Sequence, residues 1–562
     1  MNKYIIPILM IVYNSSFSQN NEGEIEDAQI LIEKNSKIIL PKVDKVIEKL
    51  ITNKYIIDKQ SFEFSYLNYQ VPGDNKKIDK FIRLENIKKE NSKNNLRLQL
   101  GNYSSFLIQS SNILYNNKDF TIHSNLYHKS NLKGYYYSDN SRFNESDINI
   151  GGKYIKRKNS FDFLFDYKKI TTGYSGYLES LEEINYDEIK VNISKYLFDI
   201  KYSYNDNNFS TTIENKNIIY KDLLYQEFNN LTILNLNYKL SDEFNIKLKF
   251  LNDYYHIYSF DDMIINTYNL SLLFKYNTKN LYLSIGGKLN KSSKEFKKTT
   301  KMGGLYPHLN IKYKINNFSI KLFTDNGLVS NKYSDKIFSN PFVYDKYLFS
   351  VLNNNVENSY NGLVEYQINN NAFLNIKYSK KILKGFTWYI SNVTSDYLTI
   401  AGNPVNAPIY LYLLKRYDEK IYIDQLSFSL KIPFNSFISP SFDFSYIDTW
   451  NKANAGGYIT KDNIRFYYMP KYSMNFENLF IYKKVKSIVG INLLLDSYSQ
   501  DFNSKSFRMD NYVNLFLNSE YELNNKIILE LNIKNILNKK NEYYYMYPEL
   551  GFNVMLGAFI KF

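Results

Sequence analysis

From about residue 94 to its end the chain repeats one pattern: segments of roughly ten residues in which apolar and polar side chains alternate, separated by clusters of Asn, Asp, Lys, Ser and Gly. A period of two sends successive side chains to opposite faces of a strand, so each segment has one face for lipid or a core and one for water. At the end of the chain Val554, Leu556, Ala558, Ile560 and Phe562 share a face, against Asn553, Met555, Gly557, Phe559 and Lys561. Likewise Ile527, Leu529, Leu531 and Ile533 oppose Ile528, Glu530, Asn532 and Lys534, and Phe244, Ile246, Leu248 and Phe250 oppose Asn245, Lys247 and Lys249.

A soluble two-sheet sandwich also alternates, so the period alone does not separate it from a membrane barrel. Three observations do. The alternation runs on without a domain-sized break or interleaved helical pattern. Aromatics, 55 Tyr and 39 Phe among 562 residues, crowd towards segment ends, as in Tyr254, Tyr255, Tyr258 and Phe260 or Tyr543, Tyr544, Tyr545 and Tyr547, where girdles at two membrane interfaces are expected. The chain ends on Phe562 in the lipid-facing register, the terminal aromatic that outer-membrane barrels present to their assembly machinery. The expected fold is therefore an all-β, transmembrane antiparallel β-barrel.

The N-terminus points out of the cytoplasm. Met1, Asn2 and Lys3 precede the apolar run Tyr4 to Tyr13 and then a polar, small-residue segment with Ser16 and Ser18, the three-part order of a signal peptide ending near residue 18. Ten apolar residues at a rise of about 1.5 Å each do not cross a hydrocarbon core of roughly 30 Å, so an anchor helix is excluded there. The domain reading is 1–18 signal peptide, 19–93 a short periplasmic or lumenal segment, and 94–562 the barrel.

Counting segments gives 22 strands, an even number as closure requires, with 20 or 24 left open by the ambiguous stretch Ala407 to Pro433. Segments are expected at 409–431, 486–500 and 525–540 among others. The longest connections, near 330–358, 389–408 and 451–467, are expected outside the cell, since periplasmic turns are short.

The stretches Leu96 to Leu107 and Leu531 to Phe562 resemble the TonB-dependent receptor barrels, in particular the shortened, plug-poor members of flavobacteria and their relatives. In the second stretch Asn535, Leu537 and Asn538 stand where that family carries an N-x-L-N/D motif, and Pro548 and Gly551 precede the final strand with its terminal Phe562. Glu26 to Pro41 is similar to the mature start of the shortened members. The resemblance implies a receptor-like protein of the Gram-negative outer membrane that takes up a small-molecule nutrient. Its implied partners are outer-membrane lipids, the barrel assembly machinery, and TonB or other outer-membrane proteins. Only residues 19–93 precede the first strand, shorter than a full plug and without its Arg-Gly or Gly-rich signatures. The competing role is a barrel without transport that acts as a scaffold in an outer-membrane assembly.

Little in the chain suggests catalysis or a cofactor. The absence of cysteine excludes disulfides, thiolate metal sites, a cysteine nucleophile and a lipoprotein anchor. The four histidines, His123, His128, His256 and His308, lack ligand spacing, and His123 and His128 fall on opposite faces of one strand. No G-x-S-x-G, Walker or dinucleotide fingerprint is present, and the chain is read as a non-enzyme without metal or cofactor. The net charge of +14 comes from lysines scattered along the whole chain, which argues against a nucleic-acid partner. Lys247, Lys249, Lys288, Lys312 and Lys314 are expected to face the lumen, either as an anion-attracting set or balanced by neighbouring carboxylates.

Overall fold

The computed structural model describes residues 94–562 apart from 136–138, 177–185, 223, 259–261, 296–299, 330–331, 345–354, 370–371, 394–397, 401–402, 406–409, 434–436, 456–457, 464 and 502–504. The expected signal peptide and the 19–93 segment lie outside the described residues.

Twenty-two antiparallel strands close into one barrel. They are β1 Asn95–Gly101, β2 Ser105–Asn116, β3 Phe120–Asn131, β4 Phe143–Lys156, β5 Asn159–Gly173, β6 Lys190–Asn205, β7 Phe209–Lys221, β8 Gln226–Lys239, β9 Phe244–Tyr258, β10 Met263–Asn277 and β11 Leu281–Glu295. The others are β12 Thr300–Ile315, β13 Phe318–Val329, β14 Asn355–Gln367, β15 Phe373–Val393, β16 Tyr410–Lys431, β17 Ile438–Ala455, β18 Tyr472–Tyr482, β19 Val485–Leu495, β20 Tyr512–Glu522, β21 Ile527–Lys534 and β22 Asn553–Lys561. Each strand pairs with its sequence neighbours, and β22 pairs with β1 from Asn95↔Lys561 to Gly101↔Met555. The short strand Tyr458–Asn463 folds back on β17 beyond the barrel wall.

The alternation read from the sequence is the partition between outside and lumen. Leu100, Phe274, Leu322 and Leu556 are more than half exposed on the outer face. A continuous apolar band of this kind is satisfied by lipid rather than water. At the end bearing the chain terminus, Phe120, Tyr154, Phe161 and Tyr202 are register partners on four successive strands and begin an aromatic girdle. The turns on this side are tight, and Arg157, Asn316 and Lys483 adopt positive φ at the start of two-residue turns. All long connections lie at the other end, which is therefore the extracellular one.

The ambiguous stretch is one 22-residue strand, β16, close to the 409–431 segment expected, and is kept in register with β15 by a bulge at Gly385. Two other segments end earlier than the sequence reading has them. The 486–500 segment stops at Leu495 because Asp496 turns into positive φ, after which Tyr498–Gln500 pairs with Ser506–Arg508 in a separate hairpin. The 525–540 segment stops at Lys534 because Asn535 and Asn538 both adopt positive φ.

Closure depends on the β1–β22 seam. At its centre a Cβ on Gly557 would lie 1.9 Å from the Leu98 carbonyl oxygen, so only glycine lets the strands approach. On the lumen side the buried Glu530 carboxylate, one strand further, accepts hydrogen bonds from Arg97 Nε at 3.0 Å and Gln99 Nε2 at 2.6 Å. These charge-assisted bonds tie β21 to β1 across β22. Glu530→Ala leaves Arg97 without this partner and is expected to cost about 3 kcal/mol. A heat-modifiability gel would show unfolding at lower temperature, and an unchanged transition would refute the role given to this tie.

Candidate functional site: an inward-folded loop at the barrel mouth

The longest connection, between β13 and β14, is one of the three expected outside the cell, and it leaves the barrel at the extracellular end. Its described part then folds into the lumen. Lys332, the helix Tyr333–Ser339 and the segment Asn340 to Tyr344 pack among the extracellular ends of β5, β7 to β10, β15 and β16. The strands that touch it are spread around the circumference, so the loop spans the mouth.

A seven-residue helix is too short to be stable alone, so its position must come from its surroundings. Its N-terminal amides are met by the wall: Ser334 N–H donates to the Glu227 carboxylate at 3.1 Å, and Tyr333 N–H donates to the Tyr255 hydroxyl at 3.2 Å. A carboxylate at this end also opposes the positive pole of the helix. Just before it, Lys332 Nζ lies 3.1 Å from Asp253 Oδ2 and donates to Asn229 Oδ1 at 3.0 Å. The Lys332 and Asp253 side chains are 5% and 0% exposed, so this ion pair is held out of water. Asn229 in turn donates to Asp253 and to the Tyr254 carbonyl.

The far end of the loop is held by backbone and phenols. Val343 bridges Tyr412, whose carbonyl accepts Tyr344 N–H at 2.9 Å and whose N–H donates to the Phe342 carbonyl at 3.2 Å. Tyr389 and Tyr544 donate to the helix's last carbonyls, Lys336 O at 3.0 Å and Ser339 O at 3.2 Å. Tyr412 sits edge-on to Tyr468 and close to Tyr544 and Tyr547, while Phe342 stacks on Tyr547 with centroids 3.6 Å apart. Each such aromatic pair adds about 0.5–1.5 kcal/mol beyond the area it buries. In the β7–β8 turn, Asp222 accepts from Tyr220 at 2.5 Å and from Leu224 and Tyr225 amides. Burial raises the Asp222 pKa against the pull of these bonds, and burial beside Asp222 holds the Tyr333 phenol well above its ordinary value.

Residues singled out in the sequence divide into three groups. Asn535, Asn538 and Gly551 come together at the start of the last loop. The Asn535 side chain donates to the Lys539 and Leu550 backbone carbonyls, Asn538 Oδ1 accepts Phe552 N–H at 2.8 Å, and a Cβ at Gly551 would strike the Tyr135 ring at 2.3 Å. Pro548 pairs with Glu542 in the small ladder of that loop, whereas Leu537 points outward and is exposed. This fold-back carries Tyr544 and Tyr547 into the mouth. Phe562 lies at the opposite end, exposed on the lipid face, with its backbone bonded to Asn94.

The girdle reading needs correction for Tyr255 and the tyrosines of the last loop. Tyr255, Tyr544 and Tyr547 are buried in the mouth cluster and Tyr543 and Tyr545 pack against it, because the mouth supplies an apolar interior that a strand-end tyrosine otherwise finds only in the bilayer interface. Phe260 lies outside the described residues. His123 faces the lumen and His128 faces outward, as the register Ile108↔His128 and Ile113↔His123 requires. The lysines expected in the lumen are placed there. Lys332, Asp253, Glu227 and Tyr412 went unnoticed in the sequence. The one local signal was Asp253, a carboxylate at an inward position among apolar neighbours.

No family model matches the chain, and no curated protein matches it in sequence. Its fold does match solved structures. The FrpB iron transporter from Neisseria meningitidis (F3-3 variant) aligns at a TM-score of 0.64 and 7% identity, over 84% of this chain and 81% of that one. The siderophore receptor PiuA from Acinetobacter baumannii aligns at 0.60 and 12%, over 84% and 82%. The copper transporter OprC aligns at 0.63 and 8%, over 84% and 80%. The likeness is one of fold: the chain shares the barrel of these three proteins.

Because the chain has no cysteine, a single introduced thiol reports cleanly on the loop. In Ser334→Cys, a maleimide is expected to react slowly. Adding Lys332→Ala strands the Asp253 carboxylate without its cation, costs about 3–5 kcal/mol and raises the labelling rate. Adding Asp253→Asn as well is expected to restore part of the protection, and equal labelling in all three would show that the pair does not hold the loop.

Proposed function

We propose that the protein is an outer-membrane receptor that admits a small solute through its lumen, with the β13–β14 loop as the extracellular gate. One observation carries this reading. The described part of the β13–β14 loop lies across the mouth of a wide barrel with a polar lumen, held through a buried ion pair, a helix-end carboxylate and a ring of tyrosines. A scaffold needs only a fixed filler, whereas a transporter needs a closure that a few matched contacts hold and that can be released. The aromatic fold-back of the last loop places a second movable element against the gate, with a cavity of about 160 Å³ between them lined by Phe143, Phe338, Tyr543 and Tyr547 among others. Coupling to TonB through residues 19–93 belongs to the same reading, as does recognition of terminal Phe562 by the assembly machinery.

Planar-bilayer conductance tests the gate. The unaltered protein is expected to be closed and Lys332→Ala, which strands the buried Asp253 carboxylate, to conduct in large steps, since barrel diameter grows with strand number. If residues 19–93 also block the lumen, conduction will need both this substitution and their removal. Steady conductance by the unaltered protein would overturn gating. Assembly is read separately: Phe562→Ala is expected to lower the amount of folded barrel in the outer membrane without changing the unfolding temperature of what is recovered. Equal amounts would remove the assembly role.

A further inference from the structure

The lumen wall is not electrically uniform. On β1, β4 to β7 and β21 acids and bases bridge one another, as in Lys168–Glu145 at 2.7 Å, Lys216–Glu214 at 2.9 Å and Arg97–Glu530 at 3.0 Å. On β16 to β20 the inward charges Lys431, Asp443, Glu477, Lys486 and Glu520 are of both signs. The contiguous wall β9 to β15 differs. Below the mouth its inward positions hold three carboxylates, each already bridged by a lysine: Asp325 by Lys288 at 3.0 Å, Glu365 by Lys312 at 2.7 Å and Glu357 by Lys381 at 3.2 Å. The same wall presents six further lysines to the lumen, Lys247, Lys249, Lys275, Lys314, Lys321 and Lys377. Register fixes their side: Lys249↔Ser271 and Lys247↔Leu273 alternate with the outward pairs Phe250↔Leu270 and Leu248↔Leu272, of which Leu270 and Leu272 are exposed on the lipid face. Lys321 and Lys377 approach the lumen-facing Phe323 ring from two strands, at 4.7 and 5.8 Å.

A surplus of one sign along one side of a confined, low-dielectric-walled passage focuses the potential and raises the local concentration of counter-ions. From this we infer that the β9–β15 wall is a cationic track and that the solute passing through the lumen is a small anion bearing carboxylate or phosphate groups. The inference rests on the passage reading above and supplies its substrate class. Lysine suits the task, since its ammonium is a strongly hydrated point charge that attracts anions without the bidentate grip of arginine, which would hold a permeant in place.

The test is the reversal potential of the gate-released barrel (Lys332→Ala, lacking residues 19–93) in a potassium chloride gradient. Chloride is expected to be favoured over potassium by about threefold. Lys247→Gln, Lys249→Gln and Lys275→Gln together are expected to bring the ratio towards parity, and the three Glu replacements to invert it. Conduction that prefers potassium, or is indifferent to these changes, overturns the anion track and leaves passage standing. A barrel that conducts in no form overturns passage, and the wall is then read by calorimetry with inorganic tripolyphosphate on the unaltered protein. Binding at low salt that weakens at least about fivefold in the triple Gln variant and fades with added salt sustains the track. Equal binding by both proteins refutes it.

Discussion

Everything in this molecule hangs on one requirement: inside a bilayer no backbone amide or carbonyl finds water, so the last strand must pair with the first. The chain meets it at the β1–β22 seam, where glycine permits close approach and a buried glutamate gathers Arg97 and Gln99 from across the seam. Once the sheet is closed, strand alternation leaves no freedom. Apolar side chains face lipid, polar ones face the lumen, and the interior is wet by construction. A wet interior of this width is a hole in a permeability barrier unless something fills or caps it.

The cap is built by a different rule from the wall. Along the wall, charges pair across neighbouring strands in settings that range from buried, as at Glu530, to open, as at Asp325. At the mouth, the tyrosines of the strand ends and loops exclude water, and the charges that remain there must be fully matched. Lys332 finds Asp253 and Asn229, and Glu227 finds the amide of Ser334 and the hydroxyl of Tyr255. Matched ions in a dry setting contribute little net stability over an apolar packing, but removing either partner is costly. Such a pair specifies one loop position sharply, which is what a gate needs and a mere filler does not.

The parts legible in the sequence are those that follow from local periodicity. The outward set on β22, the inward set on β21 and the strand count all come from a period of two and from turn residues, and need no partner to be known. The mouth was hidden because its residues obey no period. Tyr255 and Tyr258 look alike in sequence, yet one is buried and the other exposed on the outer face, a distinction set by alternation and by which loop folds over the strand end. The loop itself reads as a polar connection with a short helical stretch. That it turns inward is decided by Asp253 and Glu227, some 80 and 107 residues earlier in the chain. Boundaries failed for a related reason: Asp496 and Asn535 end strands through backbone angles that polar residues tolerate but do not announce.

The proposed gate and track would use the same chemistry in two dielectric settings, and this would separate them physically. Lumen lysines face mobile ions, and their influence falls off over a Debye length of about 8 Å at physiological ionic strength. The Lys332–Asp253 pair, sealed under tyrosines, meets no such screening. Salt therefore acts on what the lumen attracts while leaving the loop seated. An anionic solute that reaches the mouth cannot release the loop merely by its charge at a distance. Release requires either entry of a group that competes with Asp253 for Lys332 at contact, or a pull on the loop from the aromatic elements that flank it. The tyrosines that exclude water thus also set the condition for opening, since contact must be made through them.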